Sequence, residues 1–96
     1  MKITNYDFFD KLTKLSFVTN ILLFGSRARE DNQERADIDI AITCPNASSA
    51  DWLKVLDIID NADTLLKIDC IRFDELGENS NLRKSIIDEG IKLYER

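Results

Sequence analysis

Two aspartates in the run Ala36-Asp37-Ile38-Asp39-Ile40-Ala41-Ile42 stand ten residues beyond the pair Gly25-Ser26. Side chains on a strand alternate between faces, so Asp37 and Asp39 share one face and lie about 6.6 Å apart along it. Ile38, Ile40 and Ile42 then point the other way, into a core. Two carboxylates so placed can share or bridge a pair of divalent ions, which sit about 3.5–4 Å apart in two-metal sites. Water-facing aspartates on an edge strand are the plain alternative for such a pair taken alone. Against that stand the poor strand propensity of Asp and the repulsion of like charges, which a cation would relieve.

Gly25 allows a phosphate close to the backbone, and Ser26 offers a hydroxyl and a helix N-terminus. Arg27 and Arg29 follow at once, and an arginine can clamp phosphate oxygens bidentately. For Arg29, surface pairing with Glu30, Asp31 or Glu34 is an equal alternative. Asp69 lies in Leu66-Lys67-Ile68-Asp69-Cys70-Ile71, on the face opposite Leu66, Ile68 and Cys70. If that strand neighbours the Asp37–Asp39 strand, Asp69 becomes a third ligand. Lys67 shares its face and could reach a phosphate. Hard oxygen ligands suit Mg²⁺, with Mn²⁺ as a substitute. These are the parts of a metal-assisted phosphoryl-transfer site, as in an enzyme that handles nucleotides.

Composition narrows the chemistry further. The 96 residues include no His, which removes Ser-His and Cys-His catalysis, the usual zinc sites and His as general base. The net charge of −5, without a basic run, argues against extended nucleic-acid binding. A mononucleotide remains compatible, since Mg²⁺ and two arginines balance a triphosphate locally. Cys44 and Cys70 lie in apolar runs and are expected as buried free thiols. No signal region or membrane-length apolar run occurs, so no membrane partner and a cytoplasmic location are expected.

The elements that must position these groups follow from pattern. Thr4 and Asp7 suggest a capping box for a helix over roughly residues 5–16. Val18 to Phe24 is a buried strand stopped by Gly25, and Ser26 caps a short helix through Arg29. Asp37 to Thr43 forms a second strand ended by Pro45. Ser48 or Ser49 with Asp51 opens a helix whose stripe is Trp52, Val55, Leu56 and Ile59. Leu65 to Phe73 is a third strand. Ser80 starts a last helix with Leu82, Ile86 and Ile87 inward, stopped near Gly90, and Ile91 to Tyr94 adds an edge strand. Asp63, Asp74 and Glu75 fall at element ends as capping or surface charges. The expectation is one α/β (α+β) domain over residues 1–96, a small mixed sheet flanked by helices.

Phe24-Gly25-Ser26-Arg27-Ala28-Arg29, the ten-residue spacing and Asp37-Ile38-Asp39 resemble the minimal nucleotidyltransferase family of the polymerase-β-like superfamily. Asp69 resembles its third carboxylate, and Glu89-Gly90-Ile91-Lys92-Leu93-Tyr94-Glu95 its usual ending. The resemblance implies a polymerase-β-like fold with Asp37, Asp39 and Asp69 as catalytic residues and ligands of two Mg²⁺. It implies Gly25 and Ser26 on the β- and γ-phosphates of ATP, with Arg27 and Arg29 as further nucleotide contacts. It implies transfer of AMP with release of pyrophosphate. Small members resemble antitoxins paired with a HEPN-domain ribonuclease toxin, some of which adenylylate a tyrosine of that toxin. The same resemblance therefore implies a HEPN toxin partner in a hetero-oligomer. Two positions depart from the family pattern: Glu30 where Gly is common, and Ala36 where Ser is favoured.

Overall fold

A computed structural model describes residues 2–28 and 37–96. Four strands form one sheet: β1 (Asn20–Phe24), β2 (Ile38–Thr43), β3 (Ile68–Arg72) and β4 (Ile91–Glu95), in the order β3-β2-β1-β4. β1 runs antiparallel to both β2 and β4, whereas β2 and β3 are parallel. A parallel neighbour needs a crossover, and α2 (Ser49–Asp60) supplies it. The small mixed sheet flanked by helices that the sequence predicts is the one observed, with three α-helices among the described residues.

One face of the sheet holds the main core. Ile21, Leu23, Ile38, Ile40 and Ile42 are buried there with Phe8, Phe9 and Leu12 of α1 (Asp7–Thr13) and Val55 of α2. Trp52, Ile58 and Ile59 pack around them, so Ile58 takes the place expected for Leu56. On the other face Ala41 is fully buried as well, and α3 (Asn81–Glu89) packs against β1. Ile86 is the one residue α3 buries. Leu82 and Ile87, expected to face inward with it, are 41% and 58% exposed. The inward line of α3 runs instead through Arg83 and Ile86, three residues apart, with the Arg83 guanidinium 4.9 Å from the centre of the Phe73 ring, so Leu82 and Ile87 fall to either side of it.

The helix starts show where local chemistry decides and where it does not. Ser48 and Asp51 form the expected capping box, with Asp51 N–H donating to Ser48 Oγ at 3.1 Å and Ser48 N–H to Asp51 Oδ2 at 3.0 Å. Ser80 likewise accepts from Arg83 N–H, and Gly90 ends α3. The Thr4 box does not form. Residues Ile3–Asn5 make a separate 3-10 turn, and α1 is shorter than expected at both ends. Asp63 caps it from the connection after α2, accepting from the Asp7 and Phe8 amides at 3.0 and 3.2 Å. The third strand also starts later than expected, leaving Leu65 fully exposed before it.

Candidate active site

Three strand ends meet where the sequence placed its chemistry. In the parallel pair Asp39 stands directly opposite Asp69, and in the antiparallel pair it stands opposite Phe24, the residue before Gly25. Strand parity therefore works as expected, with Ile38 and Ile40 buried on one face and the half-buried Asp39 on the other. Asp37 lies just before β2 and is exposed. Its charge is near enough to help push up the pKa of Asp39.

That pKa is raised first by burial, then by a hydrogen bond and charge repulsion from Asp69. Lys67 acts in the opposite sense. A carboxyl with a raised pKa binds its proton more tightly in the folded protein than in the unfolded chain. Stability therefore falls as pH rises from about 3.9 through that raised value. The ionised pair is a cost that a cation would remove. Among the described residues, no three carboxylate or thiol side chains are already closed into a cage for an ion. Asp39 and Asp69 supply a converging pair, with Asp37 outside it.

Gly25 has φ of +75°, in the region that disfavours every residue with a side chain. A Cβ there would collide with Asp39 Oδ2 and would lie 3.2 Å from Asp39 Cγ. The glycine thus does two jobs: it turns the chain and leaves room for a carboxylate. The turn is a 3-10 segment over Gly25–Arg27, closed by Ala28 N–H donating to Gly25 O at 3.1 Å. No side chain caps it, so Ser26 sits inside the turn rather than ahead of a helix as expected. Arg27 follows in the same turn. Arg29 lies outside the described residues, as do Glu30 and Ala36.

Lys67 pairs with Asp69, Nζ to Oδ1, at 3.6 Å. Its carbonyl accepts from Ile38 N–H at 2.9 Å, which fixes the backbone of β3 against the Asp37–Asp39 strand. Asp74 has a structural role instead. It accepts from Cys44 N–H at 2.7 Å and from Arg72 Nε at 2.9 Å, while Arg72 also donates to the carbonyls of Cys44 and Ala47. A cavity of about 320 Å³ opens beside Ile3, Leu23, Ile91 and Leu93. Leu23 belongs to the core face, so this cavity shares only Arg27 with the motif.

Comparison with known families settles the kinship of this arrangement. Residues 7–96 match the family model for polymerase beta nucleotidyltransferases. The chain belongs to that nucleotidyltransferase family. Solved structures of similar fold include a toxin-antitoxin crystallised with AMP-PNP, at 21% identity and a TM-score of 0.61, covering 91% of this chain and 73% of that one. A mutant MntA-HpeT toxin-antitoxin superimposes with a TM-score of 0.62, also at 21% identity, over 91% of this chain and 72% of that one. A putative nucleotidyltransferase from Sulfolobus solfataricus gives 0.55 at 18% identity, over the same 91% and 72%. No curated protein matches the sequence. At these identities the structural likeness establishes the nucleotidyltransferase fold.

Proposed function

We propose that this nucleotidyltransferase moves AMP from ATP to a hydroxyl, most simply a tyrosine, on a HEPN-domain ribonuclease toxin, and so acts as its antitoxin. The observation that carries the reading is Asp39 in register with Asp69, beside a glycine whose missing side chain makes room for the carboxylate. Toxin-antitoxin neighbours of the same fold, one of them with AMP-PNP, support the partner and the nucleotide.

The site residues fit Mg²⁺, or Mn²⁺ in its place. Their donors are hard carboxylate oxygens, and Asp39 is held in a state that an added cation would relieve. Asp37, Asp39 and Asp69 would hold the ions, which when bound neutralise charge on the transferring group. The Gly25–Arg27 turn would seat the β- and γ-phosphates, with Arg27 and Arg29 adding positive charge. Asp69 would accept the proton of the acceptor hydroxyl. That oxygen then bonds to the α-phosphorus of ATP while the bond to the bridging oxygen breaks and pyrophosphate leaves. Positioning and electrostatics account for most of such a reaction, because the protein itself forms no covalent bond.

Intact-mass spectrometry of the partner toxin after incubation with the chain, ATP and Mg²⁺ tests the proposal. The expected result is a gain of one or more AMP units, abolished in the double variant Asp37→Asn, Asp39→Asn. Neutralisation of the toxin by that double variant with no change of mass would reject catalysis and leave binding alone as the mode of action.

A further inference from the structure

The carboxylate face carries one feature that the proposed transfer leaves unused. Lys67 lies two residues before Asp69, and its ammonium reaches back to Asp69 Oδ1 at 3.6 Å. The backbone bond from Ile38 to the Lys67 carbonyl holds that lysine alongside the Asp37–Asp39 segment. We propose that Lys67 is the internal counter-ion of the Asp39–Asp69 pair and that an arriving divalent cation displaces it. This rests on the reading of those aspartates as ion ligands.

The physical argument starts from charge. Asp39 and Asp69 face each other across one strand pairing, and Asp37 adds a further negative charge close by. Like charges facing each other across one strand pairing tend to push one another apart. A lysine on the same face tempers that tendency without occupying the site, because its long stem leaves the ammonium mobile. The pair is also exposed enough to exchange: the Lys67 side chain is 70% accessible and that of Asp69 45%. An exposed ion pair is individually weak, so a divalent ion can outcompete it. The same positive charge then opposes the incoming ion. Lys67 therefore trades stability of the ion-free site against ion affinity, which makes it a positioning residue that acts through Asp69.

The test uses Lys67→Met and Lys67→Arg, with free Mn²⁺ followed by electron paramagnetic resonance and melting followed in chelator. Lys67→Met is expected to bind Mn²⁺ roughly tenfold more tightly at low ionic strength, an advantage that shrinks as salt is added. In chelator it should melt below the wild type, and Lys67→Arg should restore both properties. Unchanged or weaker Mn²⁺ binding by Lys67→Met overturns the proposal, whatever its melting point. If ATP binding falls while Mn²⁺ binding is unchanged, Lys67 is instead a phosphate contact and the proposal fails. A wild type that binds no Mn²⁺ overturns the ion-ligand reading itself, and this inference with it. That outcome is distinct from ion binding indifferent to Lys67.

Discussion

Gly25 is where the backbone and the candidate chemistry constrain one another most tightly. A methyl group there meets the Asp39 carboxylate, and φ of +75° adds conformational strain independently. Gly25→Ala is therefore expected to destabilise the fold by about 2 kcal/mol or more, measured by urea unfolding. Gly77→Ala provides the control. Among the described residues, and apart from its chain neighbours, nothing lies within 4 Å of the place a methyl group would take there, so its unfolding midpoint should stay close to that of the wild type. Equal behaviour of the two variants would dissolve the argument. The sequence revealed the glycine and both aspartates, because turn chemistry and strand parity are local rules. It could not reveal that Asp39 is the group Gly25 accommodates. That contact follows from the pairing of β1 with β2, and pairing lies beyond any local pattern.

At the scale of elements, caps divide into local and remote. The Ser48 box was legible because donor and acceptor lie three residues apart. The cap of α1 was not, since Asp63 stands 56 residues from Asp7. Hydrogen bonds from the Asp7 amide, chiefly, and then from Phe8 hold the Asp63 pKa below its ordinary value. A depressed pKa contributes stability that is present above the unfolded value of about 3.9 and lost as pH falls through the folded one. Asp63→Ala should thus melt several degrees below the wild type near neutral pH. The two melting points should converge in acid, and a gap that persists at low pH would point to packing instead of the cap. The misplaced Leu82 and Ile87 have a related origin. Helical periodicity locates a stripe but not its width, and α3 meets only enough of the sheet to bury Ile86.

For the molecule as a whole, the two thiols, one buried and one partly buried, offer a probe. Cys44 is fully buried at the end of β2, and burial with the nearby Asp74 charge pushes its pKa up to about 11. Cys70 in β3 is pushed to about 12, again mainly by burial. Reaction with a thiol reagent at pH 8 should run at least about a hundredfold slower than for a free cysteine, because the thiolate is the reacting form. Urea should bring both to the free rate together. A thiol that labels quickly in the native protein would show that β2 or β3 opens on its own. Cys44 is buried as its apolar neighbours predict, whereas Cys70 is only partly buried, because β3 is an outer strand of the sheet. Among the described residues, no helix is long and apolar enough to cross a membrane.

The parallel register of β2 with β3 also bears on how this chain can change in length. Sliding β3 by one residue would turn Asp69 toward the isoleucines, and sliding it by two would move it about 6.6 Å away from Asp39. The connection before β3 is tied down on the way, by Asp63 on α1, by Leu66 N–H on Thr64 Oγ1 and by Ile38 N–H on the Lys67 carbonyl. Residues 61–67 are therefore a poor place for insertions, in evolution or in the laboratory. The segment around Gly77, beyond β3 and facing open space, is where a tag or a grafted loop can enter without moving either aspartate.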